Sequence, residues 1–144
     1  MHPLVALVTL FSLLVFFWMS FRVGQARGKF GIEAPAVSGH PEFERHFRVH
    51  YNTAEWLWLY LPSLWLFAIF VGDYLAAALG VVWIIGRVVY ALSYVKDPKT
   101  RSAGFGIQAL ATAVLLFGSM GYIVWDIIQH GVRAHALLKP RLRR

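Results

Sequence analysis

The chain has 144 residues, of which 58% are hydrophobic and only 15% charged, against roughly 25% charged in a soluble globular domain. That balance excludes intrinsic disorder, and the absence of cysteine excludes a disulfide scaffold, a thiol nucleophile or a zinc thiolate supplied by the chain itself. A net charge of +7 would suggest nucleic acid in a soluble protein, but here the meaning of the cations depends on where they stand among the apolar runs.

A bilayer's hydrocarbon core is crossed by about 20 helical residues. Residues 4–21 carry no charge and predict a first helix near 3–23. With no basic segment before it and no small-x-small cleavage site before Arg22, this run reads as an uncleaved span, not a signal peptide. Gly24, Gly28, Gly31, Pro35, Gly39 and Pro41 follow, the composition of an irregular loop. A second helix near 43–71 begins semi-polar and becomes uncharged over 56–72. A tight turn at Gly72 and Asp73 leads to a third helix near 74–96, whose apolar stretch holds one charge, Arg87. Pro98 ends that helix inside a basic turn, 96–101. The uncharged run 102–125 predicts a fourth helix near 103–129. The remaining basic tail, 130–144, reads as solvated or bound to lipid headgroups. The expected fold is a single all-α membrane domain over 1–144, a four-transmembrane-helix bundle.

Four spans put loops one and three on one face and both termini on the other. The loop face carries Arg22, Arg27, Lys29, Arg45, Arg48, Lys96, Lys99 and Arg101, against Arg133, Lys139, Arg141, Arg143 and Arg144 in the tail. The positive-inside rule then puts loops one and three in the cytoplasm, with the tail as a counter-signal.

Ionisable groups inside a membrane helix are costly and tend to face the bundle interior. At 100° per residue, with Arg48 at zero, Arg45 falls at about +60°, Asn52 at about +40° and Glu55 at about −20°. His46 and His50 fall on the opposite face. On the third helix Trp83, Arg87, Tyr90 and Tyr94 share one face, and Arg87 lies at a depth comparable to Glu55, so an Arg87–Glu55 ion pair is expected. Each feature also has a plainer reading. Arg45 and Arg48 would snorkel to headgroups, the tyrosines would form an interfacial belt, and Glu55 with Arg87 would tie two helices together. His46 and His50 have the i, i+4 spacing of a metal pair but no third ligand, and no metal is expected. Taken together, the arginines, the amide, the carboxylate and the tyrosines suit a small anionic ligand bearing carboxylates and amides.

The run Phe43-Glu44-Arg45-x-x-Arg48-x-x-x-Asn52-x-x-Glu55 after Pro41, with Arg87-x-x-Tyr90-x-x-x-Tyr94 and Arg101 seven residues later, resembles the signature of the MAPEG family, membrane-associated proteins in eicosanoid and glutathione metabolism. The resemblance covers nearly the whole chain. It implies a homotrimer with glutathione, the co-substrate, bound between neighbouring subunits. Arg48, Asn52, Glu55, Tyr90 and Tyr94 would line the site from one subunit, and Arg27 and His50 would reach it from the next. Arg101 falls where glutathione-transferring members place the arginine that stabilises the thiolate, which makes it the expected catalytic residue. Three positions depart from the pattern. Trp56 stands where many members have tyrosine, His50 where glutamine is common, and Gly28 where the leukotriene-forming enzyme has a second arginine, so that synthase activity is not expected.

The expected function is therefore a membrane-embedded glutathione transferase of the microsomal type, acting on a lipophilic electrophile or lipid hydroperoxide. Its partners would be glutathione and membrane lipids, with no nucleic acid. Its site would be a bacterial inner membrane, with glutathione bound toward the cytoplasmic side. The alternative is a non-catalytic lipid-binding or scaffold member of the same fold. A transporter is disfavoured, because the charges gather at one face and leave no continuous path.

Overall fold

The computed structural model describes residues 1–138, with side chains described through His130. Four helices follow one another up and down: α1 (Pro3–Phe30), α2 (Pro41–Phe70), α3 (Asp73–Lys96) and α4 (Ser102–Leu138), with a single 3₁₀ turn, Pro98–Thr100, before the last. All four are long and apolar enough to cross a membrane.

Two helices outrun the sequence expectation. α1 continues beyond 23 to Phe30, because Gln25, Ala26 and Arg27 are good helix formers whose polarity only ends the membrane-facing pattern. It stops at Gly31, which adopts a left-handed φ of 63°, while the Ile32 N–H bonds back to the Arg27 carbonyl at 3.0 Å. This is the αL stop that glycine makes without a Cβ penalty. At 28 residues and 1.5 Å per residue, α1 is about 42 Å long, so its last turns rise out of a hydrocarbon core of about 30 Å. α4 likewise runs past 129 to Leu138; Lys139, Arg141, Arg143 and Arg144 of the expected basic tail lie outside the described residues.

The starts of the helices explain why the turns are short. Pro41 opens α2 in the position where a missing N–H costs nothing, the His40 ring nitrogen accepts from the Glu42 N–H at 3.2 Å, and Glu42 and Glu44 occupy the first turn, where the helix dipole favours them. Before α4, Asp97 Oδ1 accepts from the Lys99 N–H at 3.0 Å and fixes the basic turn. α1 has no side-chain cap from its own N-cap residue, His2. Instead Asp73, at the start of α3, accepts from the Leu4 and Val5 N–H groups at 3.2 Å each.

The interior mixes polar groups between the helices with a buried aromatic and aliphatic cluster, and many large apolar side chains face outward, as in membrane bundles. Ser12, Thr53, Ser63, Arg87, Gln108, Thr112 and Ser119 are buried, whereas Leu10, Phe11, Leu14 and Phe17 of α1 are exposed. Tyr60 stacks on Trp83 with ring centroids 3.9 Å apart and shares a hydroxyl contact of 3.2 Å with Ser12. The closest seam lies between α3 and α4. A Cβ on Gly86 would stand 2.7 Å from the Gln108 backbone nitrogen, and one on Gly104 would meet the backbone of Tyr90. That seam holds the first turns of α4 against the last turns of α3.

Candidate functional site

At the end of the bundle that carries loops one and three, α2, α3 and the start of α4 enclose a cleft of about 860 Å³. α2 contributes Arg48, Asn52 and Glu55, successive turns of one helical face; α3 contributes Tyr90; the turn and α4 contribute Lys99, Arg101 and Phe105. The Gly86–Gly104 seam dictates this assembly, since α4 can start beside Tyr90 only if no side chain separates the two backbones. Its polar wall thus offers guanidinium and ammonium donors, an amide and a carboxylate, facing the phenol and the Phe105 ring.

Of the expected site residues, Arg48, Asn52, Glu55, Tyr90 and Arg101 meet in this cleft. Tyr94 lines an adjoining cavity that shares Arg48. Its ring lies 5.5 Å from that of Tyr90, with the Arg101 guanidinium 5.7 Å above it. Arg27 and His50 do not enter the cleft of their own chain. Arg27 donates to the Ala36 carbonyl at 2.8 Å and lies 4.8 Å over the Phe43 ring, bracing the first loop. His50 stacks on Phe16 of α1 at 4.6 Å.

The expected Arg87–Glu55 ion pair is not made. Glu55 points into the open cleft and is exposed, while Arg87, fully buried, turns toward the covered side of α2. There its Nη2 donates to Thr53 Oγ1 at 2.9 Å and to Asn52 Oδ1 at 3.1 Å. Asn52 Nδ2 in turn donates to Glu55 Oε2 at 3.3 Å, so the amide stands between the two charges. With both its oxygen and its nitrogen engaged, Asn52 is fixed in the orientation it presents to the cleft. The Tyr90 ring, 4.7 Å from the Arg87 guanidinium, gives the buried cation a π face in place of a carboxylate.

Arg45 shares the stripe of Arg48 on the helical wheel, yet it donates to the Val95 and Lys96 carbonyls at 3.2 Å each. It closes the C-terminus of α3, where unpaired carbonyls and the dipole favour a cation. Lys99 and Phe105 are cleft residues that the sequence reading did not single out. The signal for Lys99 was its place two residues before Arg101 in a turn read only for membrane orientation. Trp56, the departure at a tyrosine position, meets Phe105 edge-on at 5.5 Å and so backs the apolar rim.

Comparison with known proteins identifies the family. The MAPEG family profile matches residues 5–121. The chain is 40% identical to an uncharacterized protein of Synechocystis over 86% of its own length and 90% of the relative's. It is 37% identical to human microsomal glutathione S-transferase 2, over 82% of this chain and 81% of that one. It is also 37% identical to rat leukotriene C4 synthase, over 84% and 81%. Four spanning helices, the cleft they enclose and a family match over most of the sequence lead to one conclusion: the chain is a multi-pass membrane protein and belongs to the MAPEG family.

Proposed function

We propose that the cleft binds glutathione and that the chain transfers the glutathione thiolate to lipophilic electrophiles. The observation that carries this reading is the meeting of Arg48, Asn52, Glu55, Tyr90 and Arg101 in one cavity. The tripeptide has two carboxylates, an ammonium and two amides. Arginine binds carboxylate through paired N–H groups, a carboxylate takes an ammonium, and an oriented amide pairs with amides. The relatives named as a glutathione S-transferase and a leukotriene C4 synthase support the same chemistry.

A cysteine thiol with a pKa of about 8.5 is mostly protonated at neutral pH, and the thiolate is the nucleophile. Arg101, exposed at the cleft mouth, supplies the cation that favours the charged form. The thiol proton passes to water. The sulfur then gives its electron pair to the electrophilic carbon, a C–S bond forms, and the leaving group departs with its own bonding pair. The apolar co-substrate arrives through the bilayer beside Phe105. In this reading the active unit is a homotrimer, and a neighbouring subunit brings Arg27 and His50 to the open side of the cleft, since neither reaches it within one chain.

Arg101→Ala tests the assignment. Glutathione binding measured by calorimetry should persist, whereas the ultraviolet absorbance of the bound thiolate should vanish and turnover should fall about a hundredfold, the typical cost of removing one donor to a developing anion. An undiminished thiolate signal in the variant would remove Arg101 from the role. A panel of electrophiles and lipid hydroperoxides then sets the substrate range. The cation distribution supports a cytoplasmic cleft. Because the chain has no cysteine, Lys99→Cys creates a unique label whose accessibility to impermeant reagents reads the orientation in cells.

A further inference from the structure

A second groove runs along the bundle between α1 and α3, apart from the glutathione cleft. At the loop-one end it forms a cavity of about 380 Å³ with Arg22 of α1, His46 of α2 and Lys96 of α3 at its polar end. Toward the membrane centre it continues as an almost wholly apolar cavity of about 300 Å³ that includes Phe11, Leu14 and Val88. Trp18 and Leu92 line both, so the two cavities adjoin along the groove. The sequence pattern explains the shape. On α1 the positions 11, 14, 18 and 22 recur on one helical face, as do 88, 92 and 96 on α3. The two helices run in the same direction, so each apolar stripe ends in a cation at the same end of the bundle.

We propose that this groove binds an anionic phospholipid, with the phosphate between Arg22 and Lys96 and one acyl chain along Trp18 and Leu92. Neither cation forms a salt bridge among the described residues; Arg22 makes only a long 3.4 Å contact to Gln25. His46 is 8% exposed, lines the polar end, and no described residue is hydrogen-bonded to its ring. A phosphodiester has two non-bridging oxygens, one for the guanidinium and one for the ammonium. A zwitterionic headgroup would bring its own ammonium against these cations. The apolar continuation requires a chain attached to the anion, which excludes a free phosphate. Basic pockets between membrane helices at the interface take anionic headgroups by this physics.

The test uses the full-length protein in phosphatidylcholine vesicles containing phosphatidylglycerol, with brominated acyl chains placed on one lipid or the other. The chain has six tryptophans, so the Trp18 signal is the difference between wild type and Trp18→Phe. Brominated phosphatidylglycerol should quench that component well beyond brominated phosphatidylcholine at equal mole fraction. Each cation should contribute about fivefold to the lipid preference. Arg22→Gln with Lys96→Gln should bring the two lipids to parity, and the charge-keeping pair Arg22→Lys with Lys96→Arg should restore the difference, which separates lost charge from lost fold. Equal quenching in the wild type would overturn the proposal. So would no quenching by either lipid, as expected if a second copy of the chain covers the groove, or loss of the excess when inorganic phosphate is added.

Discussion

The two ends of the bundle solve opposite problems. At the N-terminal end the chain turns between α2 and α3 at Gly72, and the Asp73 carboxylate ties the first N–H groups of α1 to the start of α3. Beneath it Val5, Val8, Tyr60, Leu64 and Trp83 form one buried cluster. At the other end the helices separate enough to leave the cleft, and cations line it without carboxylates to neutralise them except Glu55. The first end holds the helices together; the second leaves the cleft that we propose takes glutathione. The glycine seam between α3 and α4 fixes the back wall of that cleft.

The strongest way to break that division is to fill the seam. Gly104→Leu would drive a side chain into the backbone of Tyr90, which has no rotamer with which to yield. Overpacking of this kind costs about 3 kcal/mol or more where the neighbour cannot move. The expected outcome is loss of the folded bundle in detergent, seen as a collapsed thermal transition and aggregation on size exclusion. The same substitution at Gly106, where a Cβ meets nothing, should be nearly silent and serves as the control.

Arg87 separates support from chemistry more finely. It is buried beneath the cleft and touches it through the Asn52 amide and the Tyr90 ring. A charge buried with no opposite partner is costly, and an apolar side chain of similar volume removes that cost. Arg87→Met should therefore keep the thermal midpoint near that of the wild type while freeing the Asn52 amide. Loss of one such hydrogen bond, about 1 kcal/mol, corresponds to a weakening of glutathione binding by about fivefold. A melt paired with calorimetry checks it. An unfolded variant would instead make Arg87 a member of the core.

The helical wheel drawn from the sequence separates the Arg48, Asn52 and Glu55 face from the His46 and His50 face, and the two faces do look onto different surroundings. Azimuth around a helix is legible because 3.6 residues per turn is nearly invariant. What the wheel does not contain is the partner helix. Arg45 shares the azimuth of Arg48 but is engaged by the carbonyl end of α3, and Arg87 lies at the depth of Glu55 but reaches Thr53 and Asn52 first. Helix ends were less legible for a related reason. Apolar runs mark where a helix meets lipid, not where its hydrogen bonds stop, so the polar last turns of α1 up to Phe30 read as loop. The groove between α1 and α3 was present as two apolar stripes, but their shared end follows only once α1 and α3 are known to lie side by side.

The smallest effect is expected at the closed end, and it sharpens the comparison by being purely structural. The first four N–H groups of any helix lack intrahelical partners. In α1 Pro3 has none to offer, and Asp73 takes those of Leu4 and Val5. His2, the N-cap residue, gives α1 no side-chain hydrogen bond of its own. Asp73→Ala therefore removes a cap that is provided across 68 residues of sequence, so it should loosen α1 from α3 as well as fray its first turn. Capping losses run to about 1 kcal/mol, and the shift should appear in chemical or thermal unfolding and in faster amide exchange at Leu4 and Val5. Glutathione affinity and turnover should be unchanged, because every cleft residue lies at the far end of α2, α3 and α4. If affinity falls along with stability, the two ends are coupled through the bundle, and the division of labour between them is wrong.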